Sequence, residues 1–164
     1  MPDEAVLRLT TIGVYGFDAP TFLATLRAAE VERVIDVRQR RGVRGRNYAW
    51  ANSLRMQAAL AEAGIAYEHR RDLAPTIELR QLQYAEDDRL GVGKRNRAAL
   101  AAEYVRRYTA EILDRADLDA LARGLSTGSS ALLCVERDPE ACHRSLIAAR
   151  LARRPEISLR HLRP

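Results

Sequence analysis

The stretch Ala131-Leu132-Leu133-Cys134-Val135-Glu136-Arg137-Asp138-Pro139-Glu140-Ala141-Cys142-His143-Arg144 decides the fold. Residues 130–135 form an apolar run too short for a helix, which reads as a buried strand. Asp138 is a helix cap and Pro139 a first helical residue, because proline's missing N–H costs nothing there. The spacing predicts a helix over 139–153. A buried strand that passes at once into a helix is the building unit of a parallel sheet.

The same alternation runs outward in both directions. Upstream, residues 7–12 read as a strand, 21–30 as a helix entered through Pro20, and 33–37 as a second, β-branched strand. A loop with Gly42 and Gly45 follows over 38–50. Asn52 or Ser53 caps a helix carrying Leu54, Met56, Ala59 and Leu60 to a stop at Gly64, and 65–67 reads as a third strand. Residues 70–93 are polar and read as a long loop with a short helix over 79–84. Helices are expected over 96–113 and 116–125, and a closing strand over 157–162. The expected fold is a single α/β domain over 1–164. It has a mostly parallel sheet with helices on both faces, a Rossmann-like three-layer sandwich. In such sheets ligands bind beyond the carboxyl ends of the strands. Residues 13–17, 36–46 and 136–144 are therefore where chemistry is expected.

Composition narrows the class. In 164 residues, 47% apolar and 30% charged with a net charge of +5, a core is affordable and an acidic or disordered chain is excluded. No apolar run approaches the roughly 18 residues of a membrane span. Residues 1–20 carry Asp3, Glu4 and Arg8 without a basic segment before an apolar one, so a cytoplasmic protein with no membrane partner is expected. The two cysteines, Cys134 and Cys142, exclude a disulfide scaffold, and two free thiols are expected. Few aromatic anchors point to a monomer or weak dimer.

Several residues could carry chemistry. Asp36 ends an apolar strand, where a carboxylate is costly to bury unless paired. It is either a working group or one tied to neighbouring backbone. Arg38, Arg40, Arg41, Arg44 and Arg46 crowd nine residues, with no acid between Val37 and Ala61. Guanidinium groups grip phosphate in two-point fashion, and Tyr48 and Trp50 could stack on a base. The plain alternative is a solvated basic loop, and Lys94 being the only lysine points to coding bias behind many of the arginines. Arg144, in the first turns of the expected helix, opposes the helix dipole. That suggests an anion held with backbone N–H groups, so its removal is expected to harm binding more than stability. Cys142 at the same helix end should be acidic. Glu136 should meet Asp36 across the carboxyl edge, in one pocket with Arg38 and Arg144.

Sharper readings fail on spacing. Cys-x5-Arg does not occur, nor do His-x-Glu with Pro-Cys-x-x-Cys, a Walker loop or a Gly-x-Gly-x-x-Gly. Cys134, Cys142 and His143 leave a metal one ligand short. Consecutive Cys142 and His143 would also point about 100° apart on a helix. No metal site is therefore expected.

Five motifs carry a resemblance over nearly the whole chain. They are Thr11-Ile12-Gly13, Ile35-Asp36-Val37-Arg38, Gly64-Ile65-Ala66-Tyr67, residues 131–136, and Cys142-His143-Arg144 with Ile147-Ala148. Their order resembles the DUF488 family, small cytosolic bacterial and archaeal proteins of unknown function. The resemblance implies that Thr11, Gly13, Asp36, Arg38, Cys134, Glu136, Cys142, His143 and Arg144 stand at motif positions. The chain departs from the pattern at 39–44, where a Pro and a Ser-Arg are expected, and at Leu73-Ala74-Pro75, where Leu-Gly-Gly is.

These readings combine into an expected enzyme for a nucleotide or nucleic-acid substrate, its reaction type left open between candidates such as hydrolysis and glycosyl-bond cleavage. Asp36, Glu136, Cys142 and His143 would be the working groups. Arg38, Arg44 and Arg144 would hold phosphate, Tyr48 and Trp50 would stack, and the cofactor is open. The alternatives are a non-catalytic phosphate- or nucleic-acid-binding module, and a redox or metal protein built on Cys134 and Cys142.

Overall fold

Short apolar runs pair as parallel strands where helices cover both faces, because every strand residue is then buried. In a computed structural model, which describes residues 6–125 and 128–164, five such strands form one all-parallel sheet. Asp3 and Glu4 lie outside the described residues. The strands are β1 (Leu7–Gly13), β2 (Val31–Asp36), β3 (Ala66–His69), β4 (Ser129–Cys134) and β5 (Ile157–His161). Their order is β3-β2-β4-β1-β5. Central β4 is buried along its whole length, whereas edge strand β5 alternates buried Ile157 with more exposed positions.

The helices are α1 (Ala19–Ala28), α2 (Ser53–Glu62), α3 (Ile77–Leu90), α4 (Ala102–Glu111), α5 (Leu118–Gly124) and α6 (His143–Leu151). Crossovers carry the chain from β1 through α1 and α2 toward β3, and from β4 through α6 toward β5. α6 packs on β1, β4 and β5 and against α4. The reversal of direction opens a crevice beyond the carboxyl ends of β1, β2 and β4. Among the described residues no helix is long and apolar enough to cross a membrane.

The single α/β architecture and the strand positions agree with the sequence reading to within a few residues. Four helical boundaries do not. Residues 70–93 contain a fourteen-residue helix, α3, where a short one was expected. The Thr76 side chain caps it by accepting from the Leu79 N–H at 3.1 Å, and Gly91 ends it in the left-handed region at φ 67°. Its inward stripe is Leu79, Gln83 and Asp87, so apolar periodicity alone does not reveal it. α4 begins at Ala102, not at 96, because residues 94–96 form a separate 3-10 turn. α1 begins at Ala19, capped reciprocally by Asp18 and Thr21. The helix expected over 139–153 is broken. Pro139–Ala141 is one 3-10 turn, Cys142 is extended (φ −141°, ψ 144°), and α6 starts at His143.

At the end of β2 the chain buries an ion pair. Asp36 accepts from the Arg38 Nε at 2.9 Å, from Arg38 Nη2 at 2.9 Å and from the Arg38 backbone N–H at 3.1 Å. The Tyr67 hydroxyl on β3 donates to it at 2.6 Å, and Arg38 also donates to the Ala51 carbonyl at 2.9 Å. One pair thus ties β2 to β3 and to the segment entering α2. Removing one member of a buried pair strands the other charge, at about 3–5 kcal/mol, whereas an apolar replacement of both is far milder. Arg38→Met should therefore lose about 3–5 kcal/mol in urea unfolding, and Asp36→Leu with Arg38→Met should recover most of it. Equal stability of wild type and Arg38→Met would contradict this account.

Candidate active site

The crevice holds a cavity of about 370 Å³. The segment after β4 supplies its floor: Cys134, Val135, Glu136, Ala141, Cys142 and His143 line it. The segment after β2 supplies Arg40 and Arg44, α3 supplies Arg80 and Tyr84, and Lys94, Arg97 and Tyr104 complete the wall.

The floor depends on a close approach. The Glu136 carbonyl crosses the end of β1 so tightly that a Cβ on Gly13 would lie 1.8 Å from its oxygen. Arg144, fully buried, holds that carbonyl by donating from Nη1 at 2.6 Å, and donates from Nη2 to the Arg137 carbonyl at 3.1 Å. The Val135 carbonyl accepts from the Val14 and Tyr15 N–H groups at 3.0 Å each. The strand-to-helix turn is thereby fastened over β1. The extended backbone of Cys142 then returns its sulfur toward Cys134.

His143 bridges the two cysteines. Its Nδ1 lies 3.8 Å from Sγ of Cys134 and 3.8 Å from Sγ of Cys142, while its Nε2 lies 2.8 Å from the Val37 carbonyl. The Cys134 thiol stands 3.7 Å from Glu136 Oε2. Burial opposes ionisation of Cys142. The Cys134 thiol and the charges of His143 and Arg144 outweigh that, so Cys142 lies well below the usual thiol range. Its hydrogen bond to Cys142, then burial, pushes Cys134 well above that range, so one proton is held on the Cys134 side. Burial, then the Cys142 charge, raises Glu136, while Lys94 and Arg97 draw it back.

A second polar cluster steadies Glu136. Arg97 pairs with Asp87 through Nε at 3.0 Å and Nη2 at 2.6 Å, and its Nη1 reaches Glu136 Oε1 and the Ala141 carbonyl, each at 3.3 Å. Gln83 donates to Asp87 at 2.9 Å and accepts from the Ala101 N–H at 2.8 Å. The sequence reading missed Gln83, Asp87, Arg97, Lys94, Arg80 and Tyr104. A usable signal existed in the four-residue spacing of Leu79, Gln83 and Asp87, which sets two polar groups on one inward stripe.

The expected site residues divide. Glu136, Cys142 and His143 meet in the cavity, and Arg44 lines it. Asp36 is sealed behind Arg38 and Tyr67 and does not line the cavity, so the shared carboxylate pocket does not form. Arg38 borders the cavity but is committed to Asp36. Arg144 holds main-chain carbonyls in place of an anion. Trp50 packs on Phe22 with ring centroids 4.9 Å apart, away from the cavity. Tyr48 packs edge-on against Tyr15 at 5.1 Å, with the Arg95 guanidinium over both rings. Both cysteines are free, and both line the cavity. The geometric objection to a metal also falls, because Cys142 is not helical.

A parallel α/β sheet whose carboxyl edge carries a cysteine–histidine–glutamate floor defines the class. The family model for the domain of unknown function DUF488 matches residues 18–151, and the chain belongs to that family. No curated protein and no solved structure matches the chain.

Two substitutions test how the floor is built. Arg144→Met should lower unfolding stability by about 2–4 kcal/mol, since two carbonyls lose a charged donor. Gly13→Ala should cost about 3 kcal/mol or leave the chain insoluble, because backbone must move. Chemical unfolding with wild-type midpoints for both would refute the arrangement.

Proposed function

We propose that the protein is an enzyme that acts on a phosphate-bearing substrate bound in the carboxyl-edge cavity. The observation that carries this reading is the placement of three arginines. Arg40, Arg44 and Arg80 line the cavity, and none has a carboxylate within ion-pair distance among the described residues. Arg80 is aimed instead by Gln39, to which it donates at 2.5 Å, and by the Tyr84 hydroxyl at 2.8 Å. Unpaired guanidinium groups around a concave polar site recognise phosphate oxygens by two-point hydrogen bonding. A cavity of about 370 Å³ is of the size that takes a small ligand such as a nucleotide.

On this reading the arginines hold the anionic end and the floor meets the reacting end. Glu136, steadied by Arg97, is the acid or base that moves a proton, since Asp36 offers no second carboxylate. Paired-carboxylate glycosyl chemistry therefore gives way to chemistry with a single carboxylate beside sulfur and imidazole. A flat basic stripe for long nucleic acid is less favoured, because Arg38 and Arg41 are occupied by Asp36 and the Tyr67 hydroxyl.

The test is a thermal-shift series with inorganic phosphate, nucleoside monophosphates and sugar phosphates. Ligand in hundredfold excess over Kd adds about 2.7 kcal/mol of stability. A concentration-dependent rise is expected for phosphate-bearing compounds. It should vanish with Arg40, Arg44 and Arg80 all changed to alanine and persist in Glu136→Gln, which should lose turnover of the best binder. No shift with any compound, or a shift that survives the triple change, would contradict the reading.

A further inference from the structure

We propose that Cys134, Cys142 and His143 bind a zinc-class divalent cation, with one coordination position open to the cavity. The three donor atoms lie within 4.8 Å of one another, with both sulfurs 3.8 Å from the imidazole Nδ1. A tetrahedral ion about 2.3 Å from sulfur and about 2.0 Å from nitrogen sets sulfur–nitrogen separations of about 3.5 Å and sulfur–sulfur separations of about 3.8 Å. The sulfur–nitrogen distances of 3.8 Å must close by about 0.3 Å, and the sulfur–sulfur distance, at most 4.8 Å, by no more than about 1 Å.

The imidazole is already oriented as a ligand. Its Nε2 faces the Val37 carbonyl at 2.8 Å, and a carbonyl can only accept. Nε2 therefore carries the hydrogen, and in the neutral ring the Nδ1 lone pair faces the two sulfurs. Ligating histidines are fixed in this way by a bond from the far nitrogen to a backbone carbonyl. Two thiolates and a neutral imidazole balance a divalent charge, so the buried cluster gains no net charge on loading. Loading releases two protons to solvent from the two cysteines and the imidazole together, and forms two sulfur–metal bonds and one nitrogen–metal bond with no redox change.

The donor set also selects the ion. Thiolate with imidazole suits zinc and not the hard cations magnesium or calcium. Three protein ligands beside an accessible cavity match catalytic zinc sites, where the fourth position takes water or substrate, and not closed structural ones. Cys134, Cys142 and His143 all line the cavity, and Glu136 Oε2 stands 3.7 Å from the Cys134 sulfur. Among the described residues no fourth donor joins the cluster, which leaves that position to water or substrate. The inference does not depend on the phosphate reading.

The experiment uses untagged, anaerobically purified, chelator-treated full-length protein. It is dialysed against zinc and assayed by elemental analysis, then titrated with cobalt as a spectroscopic probe. Stoichiometric zinc is expected, with thiolate-to-cobalt charge-transfer absorption and the visible bands of a tetrahedral ion. Cys142→Ser and His143→Gln should each lose at least tenfold in affinity. His161→Gln, whose ring meets Thr11 on the far side of β1, should retain wild-type binding. The cobalt spectrum of the wild type decides the ligands even if a cluster variant fails to fold. Substoichiometric zinc with no charge-transfer band, a Cys134–Cys142 disulfide in anaerobic protein, or an unchanged spectrum in Cys142→Ser would overturn the proposal. Repeating the phosphate thermal shift on the chelator-treated protein separates this result from the phosphate reading.

Discussion

The contact between the Glu136 carbonyl, the Gly13 backbone and the Arg144 guanidinium sets the rest of the site. Nothing larger than hydrogen fits on Gly13, and the cation on α6 pulls the carbonyl into that space. The turn from β4 to α6 is therefore pressed against the end of β1. That fixes which way Glu136 and Cys134 face and leaves Cys142 extended, so its sulfur returns to meet Cys134 and His143. A free-running helix from Pro139 would have carried Cys142 and His143 around its axis to different directions.

The two buried arginines divide the labour. Arg38 fastens the β2 end to β3 and to the entry of α2, while Arg144 fastens the β4 end to β1. Arg38 balances the buried Asp36 carboxylate, whereas Arg144 supplies donors to two main-chain carbonyls at the strand end. Arg40, Arg44 and Arg80, which border the cavity, have no carboxylate partner among the described residues. Buried cations build the walls, and unpaired cations stand where a ligand can reach them.

Much of this was legible in the sequence, because strand and helix periods differ and the strands are short and apolar. Residues 130–135, 33–37 and 7–12 placed the carboxyl edge, and Glu136, Cys142 and His143 stand beside it. Side-chain direction was not legible. Asp36 at a strand end looks the same whether it faces a ligand or an arginine two residues on. Arg144 looked like an anion clamp because its partners are main-chain carbonyls, which carry no sequence signature. α3 was hidden because Gln83 and Asp87 occupy positions where an apolar stripe was sought. The break at Cys142 was hidden because a proline followed by helix formers does not reveal a 3-10 turn that stops after three residues.

The proposed phosphate-bearing ligand would occupy the cavity beyond β2 and β4. A backbone amide NMR titration with inorganic phosphate tests this placement most directly. The account predicts saturable shifts confined to Arg40, Arg44, Arg80, Tyr84, Lys94 and the 134–143 segment, with little change around Trp50 and α1. Saturable shifts centred on Trp50 and α1, or no saturable shifts at all, would contradict it.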